Sequence, residues 1–313
     1  MTSLPRLDRY RGCLLGLGVG DALGTALEFE SPGSFDPISD VVGGGPFNLE
    51  AGQWTDDTSM ALCLAESLIE RRGFDPIDQL ERYVRWWRGG YMSCTGVCFD
   101  IGRTVSSALA RFEDAREPYP GDTGDMSAGN GSIMRLAPVA MFYAARPQKA
   151  IDYAAASSRT THRAHEAVDG CRYMAGLLVG LLNGLPKEEV LRSDYEAVPG
   201  LWDTQPLARK IAKIRQGSFK TRNPPQIRGS GYVVASLEAA LWAFWRSTSF
   251  DEGALLAVNL GDDADTTGAV YGQLAGAAYG MSGIPENWLA KLAWRDRIAS
   301  MADAILEVAS AGS

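Results

Sequence analysis

Apolar residues recur along most of the chain at intervals of three and four, the period of a helix with one buried face. Leu7, Tyr10, Leu14 and Leu17 open the pattern. Asp75 followed by Pro76 reads as an N-cap and a first-turn proline, and Ile77, Leu80, Tyr83, Val84 and Trp87 carry a helix on from there. Ile101, Val105, Ala108, Leu109 and Phe112 mark another helix, as do Val233, Leu237, Ala240, Leu241 and Phe244. The spacing predicts further helices over 133–145, over 251–261 with Asp251 and Gly261 as caps, and over 288–308 as one closing helix. No period-two alternation is long enough for a strand. Segments rich in Gly, Pro and Asp at 31–52, 117–129 and 218–231 predict loops, and no linker divides the chain. The expected fold is all-α, one compact domain over residues 1–313.

Two stripes of glycine interrupt this pattern. Gly12, Gly16, Gly20 and Gly24 are four apart, and so are Gly268, Gly272, Gly276 and Gly280. Residues four apart share a helix face. Glycine inside a helix costs roughly 1 kcal/mol against alanine, so eight of them need a compensating gain. Close approach of helix backbones supplies one, and these two helices are predicted to be central and tightly packed.

Composition narrows the chemistry. The 313 residues are 46% hydrophobic and 22% charged, an ordinary globular balance. The net charge is −8 and the pI near 5.0. No Lys/Arg cluster gives the basic footprint of a nucleic-acid-binding surface. No signal peptide and no bilayer-spanning apolar run is visible, and the five cysteines are too scattered for a zinc motif, so a cytoplasmic protein with reduced thiols is expected. Only two histidines, His162 and His165, are present. A bound metal would therefore need oxygen ligands, which points to Mg²⁺ or Mn²⁺ rather than zinc.

Oxygen ligands are concentrated in two places. Thr55-Asp56-Asp57 precedes one apolar helix, and Asp263-Ala264-Asp265-Thr266 precedes the second glycine-striped one. Each alone is equally a helix cap. Together, with Glu28 just past the first stripe, they offer five carboxylates on helix ends. Two carboxylates about 4 Å apart repel by roughly 4 kcal/mol at an effective dielectric of about 20, so convergence of all five calls for cations or protons. Gly129-Asn130-Gly131-Ser132 reads either as an anion-binding start to the helix over 133–145 or as a plain glycine-rich turn.

These segments, taken in order, resemble one family. Gly20-Asp21-Ala22-Leu23-Gly24 with Glu28, Gln53-Trp54-Thr55-Asp56-Asp57-Thr58, Gly129-Asn130-Gly131-Ser132-Ile133-Met134-Arg135, Thr161-His162, and Asp263-Ala264-Asp265-Thr266-Thr267-Gly268-Ala269 are similar to the motifs of the ADP-ribosylglycohydrolases. The resemblance runs from about Arg9 to Leu292 and is nearest the bacterial dinitrogenase reductase-activating type, to whose Asp-Val-Gly segment Cys98-Phe99-Asp100-Ile101-Gly102 is similar. It implies an orthogonal helical bundle, two Mg²⁺ or Mn²⁺ ions, and hydrolysis of the bond between ADP-ribose and a modified side chain, arginine first among the acceptors. By the same resemblance Thr55, Asp56, Asp57, Asp263, Asp265 and Thr266 are metal ligands. Glu28, Asp100 and Asp263 are catalytic, with Glu28 beside the metals and Asp100 facing the leaving group. Ser127, Gly129, Asn130, Gly131 and His162 line the ADP-ribose cleft, and Gly231 and Tyr232 lie toward the adenosine. The expected partner is an ADP-ribosylated protein, with ADP-ribose as product and the enzyme a monomer. Serine, a modified nucleobase or a small metabolite remain alternative acceptors.

Two departures from the family pattern are visible. Asp262 stands where a second glycine is common, and His165 where a proline is common. Rival readings fit less well. An isoprenoid-type synthase needs an acidic residue where Met60 stands, and an HD-type phosphohydrolase needs aspartate after His162, where Arg163 stands. A non-catalytic ADP-ribose binder would be expected to have lost ligand residues, and here all are present.

Overall fold

The computed structural model of the protein describes residues 4–311, and its regular structure there is helical apart from three isolated β-bridges. The α-helices are α1 (Arg6–Gly24), α2 (Asp56–Arg71), α3 (Pro76–Gly89), α4 (Arg103–Ala115), α5 (Ala137–Phe142), α6 (Pro147–Arg159), α7 (His165–Leu182) and α8 (Lys187–Val190). They continue as α9 (Leu201–Thr204), α10 (Arg209–Arg215), α11 (Ser218–Thr221), α12 (Val233–Arg246), α13 (Phe250–Val258), α14 (Ala264–Tyr279), α15 (Glu286–Lys291) and α16 (Arg295–Ala311). One core runs through the bundle, with Tyr10, Trp54, Trp86, Phe112, Phe244 and Phe250 fully buried in it. No helix among the described residues is long and apolar enough to cross a membrane.

The glycine stripes meet. A Cβ placed on Gly16 would lie 2.4 Å from the carbonyl oxygen of Gly272, and one on Gly20 would lie 2.0 Å from that of Gly268. Gly12 faces Gly276 in the same way. Rising numbers on α1 thus meet falling numbers on α14, so the two helices run antiparallel with their backbones in contact. This arrangement decides where the site lies. The C-terminal end of α1, which carries Asp21 and leads to Glu28, comes to rest beside the N-terminal end of α14, which carries Asp263, Asp265 and Thr266. Gly280 is the exception in the stripe: it lies just past α14 at φ +74° and ends the helix.

Asp75 caps α3 as expected, its carboxylate accepting from the N–H groups of Ile77 and Asp78. Three helix expectations need correction. The segment 133–145 is not one helix: turns run over 131–135, and α5 starts only at Ala137. Pro138 explains this, because it lacks an N–H and its ring clashes with a helical carbonyl four residues back. The backbone groups so freed go to Gln273 of α14, whose amide donates to the Met134 carbonyl at 2.6 Å and accepts from Ala137 N–H at 2.8 Å. The predicted helix over 288–308 is two helices with a break at 292–294. There Ala293 N–H donates to Gly52 O and Ala293 O accepts from the Trp54 indole, so a distant loop holds the break open. The helix assigned to 251–261 is α13, capped by Ser249 rather than Asp251.

Candidate active site

Asp21 organises the acidic centre. It is fully buried within the glycine face of α1. One carboxylate oxygen accepts from the N–H and hydroxyl of Thr55 at 2.9 and 3.0 Å, the other from the N–H and hydroxyl of Thr58 at 3.0 and 2.6 Å. Asp21 thus caps α2 from a neighbouring helix. Neither Thr55 nor Asp263 caps its own helix with its side chain. The side chains that alone would read as caps are free to face one another.

They do so at close range. The Thr55 hydroxyl lies 3.2 Å from both Asp57 Oδ2 and Asp265 Oδ2, and the Thr266 hydroxyl lies 3.2 Å from Asp57 Oδ2. One hydroxyl proton cannot serve every carboxylate around Thr55. Glu28, Asp100 and Asp265 each bring a carboxylate oxygen within 4.8 Å of the others. Glu28 Oε2, Asp57 Oδ1 and Asp265 Oδ1 are buried with no hydrogen-bond partner.

Burial is the first cause of raised proton affinity throughout this cluster, reinforced by like charge at Glu28, Asp56, Asp57, Asp100 and Asp265. It pushes Asp21 up to about 6, Asp100 to about 7 with Asp263 as the next cause, and Glu28 to about 10 with Asp100 as the next cause. Asp56, Asp57 and Asp265 are held well above the carboxylate range, and Asp263 is raised as well. Orphaned buried oxygens, an all-oxygen donor set and carboxylates driven toward protonation together fit hard divalent cations. The donor set is that of Thr55, Asp56, Asp57, Asp263, Asp265 and Thr266, with Glu28 and Asp100 at its edge.

The centre opens on a cleft with two chambers. The inner one, about 740 Å³, is bordered by Glu28, Asp56, Asp100, Asn130, Gly131, His162, Asp263 and Thr266. The outer one, about 1180 Å³, is bordered by Ser127, His165, Lys210 and Tyr232. Arg103, Thr104, Gly129 and Gly231 border both. The loop at 128–131 is pinned by Asn130 N–H donating to Gly231 O, by Val233 N–H donating to Ala128 O, and by the Asn130 amide donating to Asp263 Oδ2 at 2.7 Å. This loop is a turn against a second loop rather than a helix start, which is the glycine-rich-turn reading of Gly129–Ser132.

His162 is buried, and burial together with the nearby Arg135 cation lowers its pKa to about 3. The Arg135 guanidinium can only donate, so Thr161 Oγ1 accepts from it at 2.6 Å, and the same hydroxyl shares a hydrogen bond with His162 Nδ1 at 2.8 Å. The imidazole is neutral, and Nε2 is the ring nitrogen that Thr161 does not engage. That nitrogen lies beside Gly129 and Gly131, where a Cβ would come within 3.3 Å of it. Tyr232 is set by two side chains: its hydroxyl donates to Glu166 and accepts from Lys210 at 2.6 Å.

Each predicted site residue borders this centre or its cleft. Sequence reasoning missed four supporting residues. Asp21 stood in the Gly20–Gly24 motif with no part given to it. Arg135 stood in a motif without an assigned task. Lys210 and Glu166 carried no local signal. Asp262 borders the inner chamber in a left-handed conformation at φ +56°, and His165 is the first residue of α7, facing the outer chamber.

Fold and site define an all-α protein with an oxygen-only acidic centre at the end of a two-chambered cleft. The sequence matches the ADP-ribosylglycohydrolase profile over residues 2–313. The chain belongs to the ADP-ribosylglycohydrolase family, a family of glycosidic-bond hydrolases. It is 44% identical to the ADP-ribosylarginine hydrolase Tri1 of Pseudomonas putida (strain GB-1), covering 98% of this chain and 80% of the relative. It is 32% identical to the ADP-ribosyl-[dinitrogen reductase] glycohydrolase of Rhodospirillum rubrum, over 96% and 97% of the two chains. A solved structure described as an ADP-ribosylglycohydrolase-related protein complex superposes with a TM-score of 0.85 at 44% identity, over 97% of this chain and 99% of that one.

Proposed function

We propose that this enzyme releases ADP-ribose from ADP-ribosylated arginine on proteins by hydrolysing the N-glycosidic bond. The observation that carries the reading is the convergence of Glu28, Asp57 and Asp265, each with a buried, partnerless carboxylate oxygen, at the inner end of the cleft. The 44% identity to an ADP-ribosylarginine hydrolase supports arginine as the acceptor. Two Mg²⁺ or Mn²⁺ ions held by Thr55, Asp56, Asp57, Asp263, Asp265 and Thr266 would supply Lewis acidity at the distal ribose and ease deprotonation of water there.

The chain's own residues do the rest. The carboxylates bordering the inner chamber favour the positive charge that develops on the sugar as the glycosidic bond weakens. Glu28, or Asp263 held by Asn130, accepts the proton of the attacking water. Asp100 accepts hydrogen bonds from the substrate's guanidinium, a planar donor that suits a carboxylate, and the guanidine released when the C–N bond breaks takes up the proton that the base removed from water. His162 presents a neutral imidazole, with Nε2 at the cleft wall formed by Gly129 and Gly131. Ser127, Gly231 and Tyr232 border the room for the adenosine end. A ligand with a ribose at each end of a diphosphate suits two chambers joined at a neck.

The test is a panel of substrates carrying ADP-ribose on arginine, on serine and on a nucleobase, with and without added Mn²⁺ or Mg²⁺. Release from arginine that depends on the cation, and that falls at least about tenfold in Asp100→Ala, is the expected result. Full activity of Asp265→Ala protein in chelator would overturn the scheme.

A further inference from the structure

Phe29 is an exposed ring in an unusual backbone. It follows Glu28 directly, is 68% exposed, and borders the inner chamber. Its φ is +62°, a region that glycine or asparagine enters easily and a bulky side chain does not. Two backbone hydrogen bonds hold it there. Phe29 N–H donates to Asp262 O at 2.7 Å, and Asp262 N–H donates to Glu30 O at 2.8 Å. Asp262 is itself at φ +56° and also borders the chamber. The fold thus fixes an aromatic ring at the mouth of the site where solvent, not packing, surrounds it.

The chamber that Phe29 borders is acidic even beyond the proposed metal ligands. Glu28, Asp100 and Asp262 border it besides Asp56 and Asp263, against the single cation of Arg103. Trp245, the other exposed large ring among the described residues, carries Lys220 over its face at 4.7 Å, whereas no cation among the described residues covers Phe29. An uncovered ring beside carboxylates suits a planar cation, which gains from the ring face and the anions together. A neutral hydroxyl leaving group gains from neither.

We infer that Phe29 is a specificity-determining residue whose ring stacks the guanidinium of the acceptor arginine while Asp100 accepts its hydrogen bonds. The inference rests on the proposed arginine specificity. Asp262 positions Phe29 through its backbone N–H and C=O alone, so the acidic side chain there has no part in the clasp.

Initial rates on an ADP-ribosyl-arginine peptide, inhibition of that reaction by agmatine, and ADP-ribose affinity by calorimetry test it in the wild type and in Phe29→Tyr, Phe29→Leu and Phe29→Ala. Loss of the ring in the Leu and Ala variants is expected to lower kcat/KM and weaken agmatine by about tenfold each, equivalent to about 1.4 kcal/mol. ADP-ribose affinity should move far less, and Phe29→Tyr should stay within about threefold of wild type on every readout. An active wild type whose Leu variant keeps its kcat/KM and agmatine inhibition overturns the inference alone. So does a loss of ADP-ribose affinity as large as that of agmatine, or a wild type that agmatine does not inhibit. A wild type inactive on the arginine-linked peptide overturns the proposed function and this inference with it.

Discussion

Asp57, Asp265 and Asp21 are buried carboxylates of the same centre, yet each answers to different partners. Asp57 and Asp265 each keep one oxygen with no partner, so in metal-free protein they are mainly sources of repulsion. Replacing either with alanine should leave the chelator-treated melting temperature unchanged or raise it. The same change should abolish turnover and remove the upward shift that Mn²⁺ gives the wild type, because the stabilisation by a ligand requires that it bind. Scanning fluorimetry with chelator and with Mn²⁺ separates the two effects. A large loss of stability in chelator would mean that these side chains are structural. Asp21 answers the other way. It satisfies the N–H groups of Thr55 and Thr58 at the start of α2, both in buried surroundings. Asp21→Ala should cost about 1–3 kcal/mol for each donor left unsatisfied, visible as a lower urea midpoint even without cation. A denaturation curve indistinguishable from wild type would show that water or another group takes over the cap.

At the scale of elements, the contact of α1 with α14 sets the geometry of everything at their shared end. Gly20→Ala would push a Cβ to within 2.0 Å of a backbone oxygen that has nowhere to yield. The helices must separate, at a cost of about 3 kcal/mol, and the Asp21–Thr55 and Asp57–Thr266 contacts should loosen with them. Gly18→Ala makes the control, since its Cβ would meet only Ile298 and Leu292 side chains at 3.5 Å and beyond. That variant should fold as well as wild type, or gain up to about 1 kcal/mol from helix propensity. Equal stability of the two variants would remove the close-packing account. These stripes were legible in the sequence because their spacing alone defines a helix face. The acidic motifs were legible too, as was the Asp75 cap, whose partners lie two and three residues away. What escaped depends on contacts far along the chain. Asp21 finds its partners 34 and 37 positions later, and the carbonyl freed by the break before Pro138 is taken up by Gln273, 139 positions beyond Met134. The break before α16 depends on Gly52 and Trp54 in the same way. Local periodicity carries no record of such partners.

Across the whole molecule, the fold confines a block of carboxylates that would ionise near pH 4 in an unfolded chain. Within the fold Asp100 titrates at about 7 and Glu28 at about 10, both raised first by burial, and Asp56, Asp57 and Asp265 are raised well above the carboxylate range by the same cause. Above pH 4 the folded state therefore binds more protons than the unfolded one, and metal-free stability must fall as pH rises through the folded values. His162 acts oppositely, but only below its unfolded value near 6.5, where the unfolded imidazole takes a proton that the buried one refuses. A comparison at pH 7 and pH 8 avoids it. The buried thiols Cys13 and Cys63, also raised by burial, begin to contribute in the same direction as the carboxylates toward the top of that window. Their share is the same with or without cation. Cations bind the ionised carboxylates and compete with the protons, so the stabilisation they give should grow as pH rises. Melting temperatures in chelator should fall from pH 7 to pH 8, and the shift produced by excess Mn²⁺ should be larger at pH 8. A cation shift that is equal at the two values, or larger at pH 7, would mean that the carboxylates at the end of the α1–α14 pair are not where the cation binds.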